Sequence, residues 1–122
     1  MEIIGIDHIS LHVADLIRSK FFYQEIIGLK EITRPAFDFP GAWFSLNNSQ
    51  TLHLIEGRQH MPHWGGRSTH IALAVEDITL AANYFRTKGI ITTDIKKRPD
   101  GIRQFFVTDP DGYCIEFCEK MK

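Results

Sequence analysis

The nine residues from Asp7 to Asp15, DHISLHVAD, return sixty-two positions later from Thr69 to Asp77 as THIALAVED. The shared pattern is His-Ile-x-Leu-x-Val-x-Asp. A chain that writes one segment twice is built from repeated units, and the period limits the size of each unit. The echo runs on past the aspartates. Leu16, Ser19, Phe22 and Tyr23 stand at the same offset from Ile78, Ala81, Tyr84 and Phe85. These positions recur every three or four residues, which is the spacing of one face of an amphipathic helix. Asp15 and Asp77 each precede a helical pattern, where a carboxylate accepts first-turn N–H groups that have no partner within the helix. Gly28 and Gly89 close the two patterns as C′ glycines.

Strand-like segments follow each helix. In the first half they cover about 29–34, 41–47 and 50–56, with Asn47–Gln50 as a hairpin turn. In the second half they cover about 90–96, 102–109 and 113–118, with the sequences RPDG and DPDG as turns. Setting Trp43 against Phe106 aligns the later strands and brings His53 opposite Glu116. Residues 57–68, GRQHMPHWGGRS, are rich in glycine and polar side chains and read as a linker. The expected organisation is therefore an α+β fold of two paired βαβββ modules. The first module covers about 1–57 and the second about 69–122, together forming one domain over 1–122. A lone module of roughly 55 residues buries too little surface to stand by itself.

Successive strand residues point to opposite faces, so each strand sorts its side chains into two sets. Ile9, Leu11 and Val13 face the helix, leaving His8, Ser10 and His12 on the other side. Ile71, Leu73 and Val75 repeat this, leaving His70, Ala72 and Ala74. His53 lies between Leu52 and Leu54, and Glu116 between Ile115 and Phe117. Each half thus sends two potential ligands, from its first and last strands, onto one face. A single strand histidine is more often a hydrogen-bonded core residue than a metal ligand. A carboxylate among Cys, Ile and Phe is another matter, since buried carboxylates are rare unless paired or metal-bound. Four such residues at repeat-equivalent positions point to one cause. Three imidazoles and a carboxylate suit a divalent transition metal such as Zn, Ni, Co, Mn or Fe, with one or two positions left for water or substrate.

Charge and composition exclude other classes. Fourteen Lys and Arg against fifteen Asp and Glu give a formal net charge of −1, so no electrostatic footprint for nucleic acid or anionic lipid is expected. Hydrophobic residues at 43% and charged residues at 24% are globular proportions and argue against disorder. The start, MEIIGIDH, lacks the basic region and long apolar stretch of a signal peptide, so a cytoplasmic protein with no membrane partner is expected. Cys114 and Cys118 share a strand face about 13 Å apart at roughly 3.3 Å per residue, too far for a disulfide.

The segments DHISLHVADLIRSKFFYQEIIGL, THIALAVED and DPDGYCIEF together resemble the vicinal oxygen chelate superfamily. That superfamily includes glyoxalase I, methylmalonyl-CoA epimerase, fosfomycin and bleomycin resistance proteins, and extradiol dioxygenases. The resemblance implies modules whose sheets curl around a metal-binding cavity, and it carries ligand roles onto His8, His53, His70 and Glu116. It also implies a homodimer built by module exchange, and the exposed edges of two four-stranded modules point to a homodimer as well, by such exchange or by edge pairing. Bacterial glyoxalase I generally has a glutamate where this chain has His53.

The chemistry that follows needs a small substrate with two neighbouring oxygens that chelate the metal, which acts as a Lewis acid. Glu116 is the candidate base, with Glu56 a weaker one. His12 is a candidate wall or substrate contact, and Arg67, Arg98 and Arg103 are candidates for holding an anionic substrate. His60 and His63 read as solvated loop residues; Trp43, Phe44, Phe105 and Phe106 read as core or cavity wall. A metal-dependent lyase or isomerase of glyoxalase type leads. An iron dioxygenase using His8, His70 and Glu116, and a metal-free drug-sequestering protein, stay open beside it.

Overall fold

The computed structural model describes residues 1–61 and 68–120. The chain divides into two compact units, Met1–His60 and Met61–Lys122, the division falling in the expected linker. In the first unit β1 (His8–Val13) leads into α1 (Leu16–Phe21), then a π-helical segment (Phe22–Ile27), β2 (Glu31–Ile32), β3 (Gly41–Ser45) and β4 (Thr51–Glu56). In the second unit β5 (Ile71–Val75) is followed by α2 (Ile78–Thr87), β6 (Lys96–Lys97), β7 (Arg103–Thr108) and β8 (Cys114–Glu119). Both units are βαβββ.

The sheets share one topology. Strand order is β1-β4-β3-β2 in the first and β5-β8-β7-β6 in the second. The first strand of each unit pairs in parallel with the last, and the other pairs are antiparallel. The register sets Ser10 against His53 and Ala72 against Glu116. Each unit's two ligand candidates therefore lie in, or immediately before, its adjacent first and last strands.

The helices begin where the aspartates place them. Asp15 Oδ1 accepts from the Arg18 N–H at 3.2 Å, and Asp77 Oδ1 accepts from the Leu80 N–H at 3.0 Å. Each such cap contributes on the order of 1 kcal/mol. Gly89, at φ +74°, ends α2 in a Schellman motif. Ile90 N–H donates to the Phe85 carbonyl at 2.9 Å, and Gly89 N–H donates to the Arg86 carbonyl at 3.0 Å.

The first helix is not α-helical to its end, as the simple repeat implies. Thirteen positions separate Asp15 from Gly28, but twelve separate Asp77 from Gly89. One extra residue between equivalent caps widens the turn, and the helix takes it up as π-helix over Phe22–Ile27. The wider turn buries Phe22 and Tyr23 side by side at 5.1 Å, whereas Tyr84 in α2 is left 39% exposed.

β2, at Glu31–Ile32, is shorter than the expected 29–34, and β6, at Lys96–Lys97, begins only where the expected 90–96 ends. In the second unit the reason is Thr93. It donates its N–H to the Phe106 carbonyl at 3.0 Å, but the Phe106 N–H goes to the Thr93 hydroxyl at 2.8 Å. A side chain takes the place of a ladder carbonyl, so the regular strand starts only at Lys96.

The helix-facing set forms the core as the alternation requires. Leu11, Val13, Phe44, Leu52 and Leu54 are buried in the first unit; Ile78, Phe85, Phe105, Val107, Ile115 and Phe117 are buried in the second. Among the described residues, no helix is long and apolar enough to cross a membrane.

Candidate functional site

In the first unit His8 opens β1 and His53 lies in the middle of the neighbouring β4. Their rings stack with centroids 4.1 Å apart at 13°. Trp43, the cross-strand partner of His53, lies against that imidazole's other side at 4.0 Å and 0°. His8 donates from Nδ1 to Asp7 Oδ2 at 2.7 Å, and Thr51 Oγ1 shares a 2.9 Å hydrogen bond with His53 Nε2. Partial burial, then the neighbouring His8 and Arg34 charges, hold the His53 pKa below the ordinary imidazole value, with only Asp7 opposing them. His53 is thus a neutral donor at neutral pH, the form that ligates metals.

In the second unit His70, just before β5, donates from Nε2 to Glu116 Oε1 at 3.0 Å. Arg98 donates from Nη1 to Glu116 Oε2 at 3.1 Å. Both carboxylate oxygens are engaged, which is what a side chain only 4% exposed requires. Asp100 in turn grips Arg98 in a fork, Nη2 to Oδ2 at 2.7 Å and Nε to Oδ1 at 3.2 Å. That contact, with the Ile102 N–H, holds the Asp100 carboxyl below its usual pKa. Phe106 meets His70 edge-on at 5.4 Å, at the repeat position of Trp43. His70, Arg98 and Glu116 open onto a cavity of about 720 Å³ that Gln104, Phe106 and Cys114 also line. Cys114 and Cys118 are not joined in a disulfide; burial, and then the Glu116 charge, push the Cys118 pKa up.

The donors gather in two pairs, His8 with His53 and His70 with Glu116. Among the described residues, no three or more His, Cys, Asp or Glu side chains cluster to enclose a metal by themselves. The remaining sequence candidates are placed differently. His12 is exposed on the same face of β1 as His8, and its Nε2 lies close enough that a Cβ on Gly57 would stand 3.4 Å away. Arg103 pairs with Glu119, Nη2 to Oε2 at 3.1 Å, and does not line the His70 cavity. Glu56, the weaker base candidate, accepts the Leu16 N–H at 2.8 Å and so satisfies the start of α1. Arg67 and His63 lie outside the described residues. His60 is exposed, and its carbonyl accepts from Arg58 Nη1.

Three supporting residues escaped the sequence reading. Asp7 is adjacent to His8, Thr51 lies two residues before His53 on the same strand face, and Asp100 sits in the RPDG turn. The first two could have been found by asking what holds each imidazole's second nitrogen. Asp100 could not, because its partner Arg98 is also a turn residue whose direction the pattern leaves open.

Residues 5–117 match the family described as the Glyoxalase/Bleomycin resistance protein/Dioxygenase superfamily. The chain belongs to this superfamily. A lactoylglutathione lyase of Haemophilus influenzae is 32% identical over 122 residues, covering 92% of this chain and 90% of its own length. A metallothiol transferase, FosB, of Bacillus licheniformis is 27% identical, over 94% of this chain and 75% of its own. The crystal structure of a glyoxalase family protein from Bacillus anthracis matches with a TM-score of 0.85 at 31% identity, covering 99% of this chain and 98% of that one. Superfamily membership and a fold of two βαβββ units are thereby established, and the relatives are named for different activities, a lyase and a transferase.

Proposed function

We propose that this superfamily member is a metal-dependent lyase or isomerase of glyoxalase type, acting on a small substrate with two neighbouring oxygens. The observation that carries this reading is the Glu116 carboxylate, 4% exposed and held between His70 and Arg98 at the wall of a cavity. A buried carboxylate beside an open cavity is placed to take a proton from a bound molecule. The donor set of His8, His53, His70 and Glu116 has the chemistry of a divalent transition-metal site. If these residues bind a divalent metal, it would supply Lewis-acid stabilisation of negative charge developing on the substrate. Glu116 accepts the substrate proton, and Arg98, itself held by Asp100, keeps that carboxylate aligned at the cavity wall. Among the other substrate-contact candidates, His12 shares the open face of β1, and Arg67 and Arg103 have no described place on this cavity. Relatives named as a lyase and as a metallothiol transferase support metal chemistry over sequestration.

The test is elemental analysis of protein purified without oxygen, followed by activity with each metal restored. Bound nickel, zinc, cobalt or manganese, with turnover independent of oxygen, is expected. Iron with oxygen uptake would instead indicate a dioxygenase, and absence of any metal a binding protein.

A homodimer is proposed as well. β1 and β5 each stand at the edge of a sheet, and natural proteins cover or pair such edges. Sedimentation at micromolar concentration should give the dimer mass; a monomer there would refute the assembly.

A further inference from the structure

Neither packing nor pairing explains Gln104, a residue of the second unit's cavity. It stands on β7 between Arg103 and Phe105, on the face it shares with Phe106, and lines the cavity with Arg98 and Glu116. Its cross-strand neighbours are Lys96 on β6 and Cys118 on β8. Lys96 is exposed, and a thiol is a weak donor. Among the described residues, Gln104 Oε1 is buried and accepts no hydrogen bond. A buried amide oxygen without a donor forfeits its hydration, and a long polar side chain loses rotamer freedom as well. A valine or an isoleucine would suit this strand position without either loss. The repeat does not call for an amide here. The equivalent residue of the first unit, sixty-three positions earlier, is Gly41, which has no side chain.

The charges beside this oxygen favour a donor over an anion. The Arg98 guanidinium is divided between two carboxylates, with Nη1 on Glu116 at 3.1 Å and Nη2 and Nε on Asp100 at 2.7 and 3.2 Å. An anion set against Arg98 would stand beside both of those carboxylates, and like charges brought together are disfavoured. We propose that Gln104 is a specificity-determining residue of this cavity: its side-chain oxygen accepts a hydrogen bond from a neutral or cationic N–H or O–H group of the ligand. The terminal torsion of a glutamine is soft, so the amide can turn to meet a donor that enters the cavity. A site whose acceptor is satisfied only by its ligand rejects an analogue that lacks the donor. This deepens the reading of the cavity as the substrate site, and no metal takes part in it.

The experiment titrates the full chain with four probes of nearly one shape, whose ring suits the Phe106 and Val107 side of the cavity. Benzamide offers a neutral donor, benzamidine a cationic one, methyl benzoate no donor and benzoate a negative charge. NMR follows the backbone signals of Phe106 and the side-chain NH₂ signals of Gln104, the latter identified by their loss in Gln104→Met. Benzamide and benzamidine should bind about tenfold more tightly than methyl benzoate, with benzoate the weakest, and benzamide should shift the Gln104 side-chain signals. Gln104→Met keeps the length of the side chain without its acceptor. It should bring benzamide and methyl benzoate to within about twofold of each other, and its Tm should rise by about 2–8 °C because the unpaired oxygen is gone. Benzoate binding as tightly as benzamide would overturn the inference. So would a tenfold benzamide preference that survives Gln104→Met, a lowered Tm in that variant, or signals indifferent to millimolar benzamide. None of those results touches the lyase reading, whereas a protein that prefers benzamide yet holds no metal would sink that reading and leave the role of Gln104 standing.

Discussion

Glu116→Gln is expected to lower turnover by about 100- to 10,000-fold, the range that a positioned proton acceptor contributes, in protein that still holds metal. The substitution keeps the shape of the side chain, which is needed at a position 4% exposed. It removes the ability to take a proton. It also places an NH₂ group opposite either His70 or Arg98, each of which now donates to a carboxylate oxygen. One of those donors must lose its acceptor, so some loss of stability accompanies the loss of activity. Metal content has to be confirmed first, because an amide is a weaker ligand than a carboxylate and an empty site would mimic the result. Turnover near the wild-type rate with a full complement of metal would remove Glu116 as the base and leave it as a ligand alone.

The repeat carried a large part of this structure in plain view. The offset of sixty-two located both N-caps, a glycine closed each helical pattern, and strand alternation then sorted His8, His53, His70 and Glu116 away from the helices. The misses have physical causes. The π-helical turn follows from one extra residue between Asp15 and Gly28, visible only when the two cap-to-cap distances are compared rather than the patterns within them. The late start of β6 follows from the Thr93 hydroxyl replacing a backbone acceptor, and a β-branched threonine looks the same in sequence whether its hydroxyl does this or not. Glu56 as a weaker base and Arg103 as a holder of an anionic substrate are readings of residue type; the structure adds their partners, the Leu16 N–H for Glu56 and Glu119 for Arg103. A local hydrogen bond between residues forty positions apart in the chain, as for Glu56 and Leu16, becomes readable only once the parallel β1–β4 pairing is known.

Phe105→Ala is expected to destabilise the protein by about 3–5 kcal/mol, the usual result of removing a buried aromatic ring. Phe105 is fully buried on the helix-facing side of β7. It stacks on Phe117 at 5.4 Å and 17° and meets Phe85 of α2 at 6.0 Å, while Phe85 and Phe117 touch at 4.9 Å. These three rings join the helix to the two strands that carry the cavity wall. Gln104 and Phe106, on either side of Phe105, and Glu116, beside Phe117, all face the cavity. Alternation along a strand means that the layer holding the helix also fixes where the opposite layer points. Chemical denaturation of metal-free protein measures the loss, and metal affinity of the still-folded fraction reads its effect on Glu116. Leu80→Ala, on the same helix but 66% exposed, should change stability by no more than about 0.5 kcal/mol and serves as the comparison. If Phe105→Ala costs no more than Leu80→Ala, the aromatic layer does not hold α2 to its sheet, and the support inferred here for Glu116 comes from Arg98 and His70 alone.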